Sequence, residues 1–235
     1  MEPKQESEHR KVFRILNEDV EKFLQTKPHP TDSSMQIILD PTNLSESDRR
    51  TLVRSIYAFI EGMSYLARAD ILNDFQDKLS TFESMAIREV NYQVDGNGIV
   101  HESKAKIRTI ALIKLTFNIA TKNLDLGNQI ECKGKGFESL SRCIKIRDRL
   151  MHPKSSKDLE VSDREIKDAI SAFTWFRDCL YKILLGTNKR LKAEIQARKE
   201  EQEKLEKEKE SLIKQKEALA SQLQERLNKL ASIKT

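Results

Sequence analysis

Glycine and proline are scarce in this chain, with seven and five among 235 residues. A many-turned β fold needs more of both, so the expectation is long helices. Cysteine is scarce as well. Cys132, Cys143 and Cys179 cannot all pair with one another, and none stands in a CxxC or zinc-ligand spacing. They are expected to be small buried residues in a reducing compartment rather than metal ligands. No apolar run approaches the length of a membrane span. The first residues, Met1-Glu2-Pro3-Lys4, have no apolar signal core. Together these absences predict a soluble, cytoplasmic protein with no membrane partner.

Charge is plentiful. Asp, Glu, Lys and Arg make up 34% of the chain and apolar residues 38%, so part of it is expected to lack a core. The net charge of +5 is unevenly placed: 13 Lys and Arg face 9 Asp and Glu from Asn188 onward, and the rest is nearly balanced. Within that balanced body, Lys133 to Lys157 holds eight basic and two acidic residues. A basic zone of this kind suits a polyanion such as nucleic acid, or else is a solvated lysine-rich surface.

Three regions emerge: an N-terminal helix and linker (1–40), a helical body (41–186) and a charged C-terminal helix (187–235). Val12, Ile15, Leu16, Val20, Phe23 and Leu24 recur at helical spacing. The stretch Lys27-Pro28-His29-Pro30 then breaks that helix. Met35 to Leu39 fits a strand or a packed loop equally well. Ser45 or Ser47 caps the next helix. Leu52, Val53, Ile56, Phe59, Ile60, Met63, Leu66 and Ala67 give it a broad apolar face, which marks a core helix. Glu61 on this helix either reaches a site or faces solvent at the edge of that face. A further helical stretch runs from about Asn73 to Glu89, with Phe75, Leu79, Phe82, Met85 and Ala86 inward. Asp95-Gly96-Asn97-Gly98 between alternating apolar residues predicts a small hairpin. The helical pattern resumes near Lys104, with Ile107, Ile110, Ala111, Phe117, Thr121 and Leu124, and yields to a glycine-containing loop between Leu126 and Gly136.

The helix expected from Phe137 to Met151 carries the main chemical candidate. At 100° per residue, Phe137, Leu140, Cys143, Ile144, Ile146, Leu150 and Met151 share one half of the wheel. Glu138, Ser141, Arg142, Lys145, Asp148 and Arg149 share the other. Arg147 breaks the division, projecting between Leu140 and Cys143. A charge there is costly unless it is paired or opens onto a cleft or interface. Two readings stay open: pairing with a buried carboxylate, or lining a crevice that receives an anion. Pro153 biases His152 out of helical geometry, so the helix should end there. Histidine exchanges protons near neutral pH, and arginine grips a phosphate at two points. The pair suits phosphodiester cleavage without a metal. The plain alternative is a surface histidine ending a helix.

Beyond a short polar loop, Ser162 and Glu165 form a capping box. An apolar stripe from Ile166 to Leu184 follows, with Trp175 off its centre, where it covers a neighbour or meets a partner. The tail admits a heptad frame with Leu191, Leu205, Leu212, Leu219 and Ile233 at d, interrupted by Arg198 and Arg226. Its a positions are Ile195, Gln202, Lys209, Lys216, Leu223 and Leu230. The Glu/Lys-rich centre fits a coiled coil or a lone helix supported by i to i+4 pairs.

Arg147-Asp148 followed by His152-Pro153, set between a core helix and a capped, aromatic-rich one, resembles the HEPN superfamily. Ile56-Tyr57-Ala58-Phe59-Ile60-Glu61-Gly62 and the Asp-Gly-Asn-Gly hairpin resemble bacterial members linked with toxin and abortive-infection systems. The resemblance covers roughly Leu44 to Leu185. It implies an all-α fold: a HEPN-like four-helix bundle with a small β-hairpin excursion, here extended by the long C-terminal helix or coiled coil. It further implies a homodimer with two facing motifs and a metal-independent endoribonuclease acting in phage defence or a toxin system. His152 would act as general acid or base at the ribose 2′-hydroxyl or the leaving oxygen. Arg147 would bind the scissile phosphate, and Asp148 would orient Arg147 or His152. Lys145, Arg149 and Lys154 are the expected RNA contacts. No cofactor or metal is implied. The partners are RNA, a second copy, and an antitoxin or other protein through the coiled coil. Some family members bind without cleaving, which leaves a non-catalytic RNA-binding or assembly module as the alternative.

Overall fold

A computed structural model describes residues 8–28, 35–38 and 41–231. The sequence expectations for residues 1–7, 29–34, 39–40 and 232–235, and for the side chains at 25–28, 35–38, 41 and 222–231, lie outside the described part. The described chain is mostly helical. In order, it contains α1 (Glu8–Glu21), β1 (Gln25–Pro28), β2 (Met35–Ile38), α2 (Glu46–Phe75), α3 (Thr81–Arg88), β3 (Val90–Val94) and β4 (Val100–Lys104). Then follow α4 (Thr109–Asn123), α5 (Lys135–Met151) and α6 (Asp163–Ala231). By its contacts the chain divides into two units, Met1–Leu184 and Leu185–Thr235.

The first unit is built on α2. Ser45 caps this helix, its hydroxyl accepting from the Asp48 amide at 3.2 Å. Leu52, Val53, Ile56, Phe59 and Ile60 are fully buried. Phe59 meets Phe173 of α6 edge-on at 5.0 Å, and Phe117 of α4 meets Phe176 of α6 at 5.5 Å. Leu140, Cys143 and Leu150 of α5 enter the same core. Four helices thus share one apolar interior, the main favourable term in their assembly. On α1, Phe13 lies edge-on to Phe59 at 5.7 Å, and Val20 is fully buried.

Two features depart from the sequence expectation. The described residues hold two small hairpins rather than one. β1 pairs with β2 antiparallel, Gln25 opposite Ile38, so the first helix stops at Glu21 and Met35–Ile38 is a strand. The second departure lies after α2. A 3-10 turn at Gln76–Lys78 ends that helix, and α3 starts afresh at Thr81. Ser80 and Glu83 form a reciprocal capping box that satisfies the new helix's first amides. The shift rotates Phe82 outward, where it is 81% exposed, and buries Ile87. On α4, likewise, Ala111 is exposed while Leu112, Ile113 and Thr116 are buried.

Trp175 packs against Phe117 at 5.8 Å and Phe137 at 5.5 Å. Gly136 sits under it: a Cβ there would lie 2.5 Å from the Trp175 side chain. The indole therefore closes the core edge between α4 and α5.

The second unit is helical from Leu185 to Ala231. Arg190 and Glu194 pair at 3.3 Å, and Gln196 donates to Glu200 at 2.9 Å. Leu191, Ile195, Leu205, Leu212 and Leu219 are exposed along it. Among the described residues, no helix is long and apolar enough to cross a membrane.

Candidate active site

The site forms where the end of α5 meets the N-terminal half of α2. Helix α5 begins after Gly134, whose φ of 81° suits glycine, and ends at Met151. His152 leaves helical geometry with φ −129° and ψ 57°, while its amide still donates to the Asp148 carbonyl at 3.1 Å. Its imidazole is exposed and makes no hydrogen bond among the described residues. Met151, expected on the apolar side, is 48% exposed because the helix runs past the core at this point.

Arg147 answers the question raised by its place on the wheel. Its guanidinium lies over the ring of Tyr57 on α2, 4.4 Å from the centroid. That is within the range of cation–π attraction. Its carboxylate partner is its neighbour Asp148, with Nη1 donating to Oδ1 at 3.1 Å. Asp148 is exposed, so among the described residues no buried carboxylate neutralises the arginine. The Arg147 side chain remains 27% exposed. It packs along the core edge and presents charge at the surface.

Tyr57 was not among the sequence candidates. It is buried, and burial chiefly pushes its phenol above the ordinary range. The phenol therefore stays protonated at neutral pH, and the ring serves as a platform. Arg54 was also missed. One turn before Tyr57, it donates to the Leu150 carbonyl at 3.2 Å, satisfying a free group at the end of α5. Arg50 donates to the Leu159 carbonyl at 3.4 Å. The signal was present: Arg50, Arg54, Tyr57 and Glu61 follow at steps of four, three and four, which align on one helical face.

The remaining candidates separate. Arg149 is engaged structurally: it donates to Glu165 at 2.8 Å and to the Lys157 carbonyl at 3.4 Å. Glu165 also caps α6 through Ser162, with the Ser162 amide donating to it at 2.9 Å. Arg149 thereby ties the 152–162 loop to the start of α6. Lys145 is exposed on α5. Lys154 is exposed in the loop, where its amide and that of Ser155 both donate to Asp158 at 2.8 Å. These bonds hold the Asp158 carboxyl below its ordinary range. They give the segment after His152 a defined shape.

The cysteines stand apart from this chemistry. All three are free, and burial pushes the thiols of Cys143 and Cys179 up to about 12. Neither is a thiolate at neutral pH. Among the described residues, no three His, Cys, Asp or Glu side chains gather as a metal site. What the geometry offers is a guanidinium set on an aromatic ring, an exposed imidazole five residues further on, and flanking lysines. No family model, curated protein or solved structure matches this chain.

Proposed function

We propose that the chain is a metal-independent endoribonuclease of the HEPN type, working as a homodimer in which two motifs form one composite cleft. The observation that carries the reading is the state of Arg147: laid on Tyr57, paired only with an exposed neighbour, and followed by an exposed His152. A buried structural ion pair would have consumed the charge. Arg147 receives the scissile phosphate and offsets the charge that builds in the transition state. Asp148 and the Tyr57 ring hold the guanidinium in place. His152 takes the proton of the ribose 2′-hydroxyl or donates one to the departing 5′-oxygen, the two motifs dividing these roles. The 2′-oxygen attacks phosphorus and the bond to the 5′-oxygen breaks. The products are a 2′,3′-cyclic phosphate and a 5′-hydroxyl. Lys145 and Lys154 contact the flanking backbone, and a role in phage defence or a toxin system goes with this reading.

The test is cleavage of single-stranded RNA by purified protein in EDTA. His152→Ala should lower the rate by about 10²-fold or more, the scale of a lost general acid or base. Arg147→Ala should do the same, and the wild-type product should carry the cyclic phosphate. Cleavage that survives both substitutions refutes the mechanism. A second reading, a non-catalytic RNA-binding or assembly module, is favoured by the exposed leucines of the second unit, which suit coiled-coil pairing. It predicts RNA binding or a discrete oligomer with no cleavage.

A further inference from the structure

A cavity of ≈ 170 Å³ is lined by Glu61, Ser64, Arg68, Glu89, Lys104 and Thr109, with Ile107 and aliphatic side chains of α4 completing it. Its volume is well below the roughly 300–1,000 Å³ of pockets that hold drug-sized ligands. It suits a single planar group. Glu61 joins it to the site above, one helical turn past the Tyr57 ring that carries Arg147.

Two buried polar groups here have no partner among the described residues. The Ser64 hydroxyl is unpaired in a side chain only 7% exposed, and the Arg68 Nε donor is unpaired as well. Buried polar groups are nearly always satisfied, and these two stand in residues of the cavity wall. Arg68 is nevertheless held in place, Nη1 donating to Glu89 at 2.9 Å. Glu89 occupies the left-handed region, φ 56° and ψ 43°, at the end of α3. That conformation is cheap for glycine or asparagine and costly for glutamate. Here it brings a carboxylate onto Arg68. The Glu61 carboxylate, by contrast, makes no hydrogen bond or ion pair among the described residues. It accepts only, while Lys104 and Arg68 donate only.

We infer that this cavity is a guanine-binding subsite next to the Arg147 site, giving the RNA reading above a base preference. Guanine sets N1–H and N2–H₂ side by side, matching a free carboxylate, beside carbonyl O6, which accepts from a cation. No other RNA base offers a carboxylate two adjacent donors. Glu61 stands one helical turn from Tyr57, about 6 Å along α2, the scale of a single nucleotide. A phosphate on Arg147 and a base against Glu61 therefore belong to one residue of RNA or to neighbours.

The inference rests on the RNA reading, and binding separates the two. The full chain carrying His152→Ala is titrated with labelled uridine oligomers bearing one central guanosine or one central inosine, which lacks the 2-amino group. The guanosine oligomer should bind tighter by about fivefold or more, the discrimination of a good paired contact. Glu61→Gln, isosteric at an exposed position, should weaken that binding and close the gap between the two oligomers. Equal affinity for both, a gap that Glu61→Gln leaves intact, or no RNA binding at all overturns the subsite. Wild-type cleavage in EDTA is scored separately. Base discrimination without cleavage retires the nuclease and keeps the subsite, whereas cleavage without discrimination does the reverse.

Discussion

Replacing Tyr57 and Arg147 singly and together should reveal a coupling between them of about 1 kcal/mol. The guanidinium carbon is 4.4 Å from the ring centroid, and the arginine side chain is 27% exposed. Cation–π contacts contribute ~0.5–1 kcal/mol when exposed and ~2 when desolvated, so this one falls between. Tyr57→Leu alone costs more, because it also removes the buried ring. Arg147→Met keeps the apolar stem and removes the charge. In the double-mutant cycle the unrelated losses cancel and the pair term remains. Urea unfolding followed by the fluorescence of Trp175 reads the first unit, since that sole tryptophan packs between Phe117 and Phe137. A coupling below about 0.3 kcal/mol, within ordinary additivity error, would mean that the ring does not hold the guanidinium. The account of how Arg147 is positioned would then fail.

Two further outcomes test the fold around the site. Gly136→Ala puts a methyl 2.5 Å from the Trp175 side chain and should destabilise the first unit by about 1–3 kcal/mol, the cost of overpacking. An unchanged urea midpoint would show that the indole is free to move. Asp168 accepts from Arg142 twice at 2.9 Å and from Ser139 at 3.1 Å, and these bonds hold its carboxyl below the ordinary range. Its folded value lies under its unfolded one, so its stabilising share is whole above about pH 4. That share is lost as pH falls through the depressed folded value. Asp168→Asn should flatten this acid loss in urea midpoints measured from about pH 4 downward, and an unaltered acid limb would refute the assignment.

The helical body was readable from periodicity because burying an apolar stripe is a local property of spacing. Ile56, Phe59 and Ile60 announced α2 in this way, as Leu140 and Leu150 announced α5. Capping boxes are local as well. Ser162 and Glu165 show their box in sequence and form it in the structure, whereas the box at Ser80 and Glu83 lies inside one helical pattern from Asn73 to Glu89, which hides the break that turns Phe82 outward. The β1–β2 hairpin was harder, since two four-residue strands carry too few positions for an alternating pattern to stand out.

At the site, the residue types and their order along α5 were legible, and so was the anomaly of Arg147. What that arginine touches was not. Its platform, Tyr57, lies 90 positions earlier, and only the packing of α2 against α5 brings the two together. The same packing gives Arg54 the end of α5 and commits Arg149, expected from the sequence as an RNA contact, to Glu165. Sequence by itself determined the helices, their apolar faces and the displaced charge, because each depends on neighbours within a turn or two. Tertiary structure decided which cations are engaged and which charge stays open to solvent, because a guanidinium's partners come from whichever chain segment the core brings beside it.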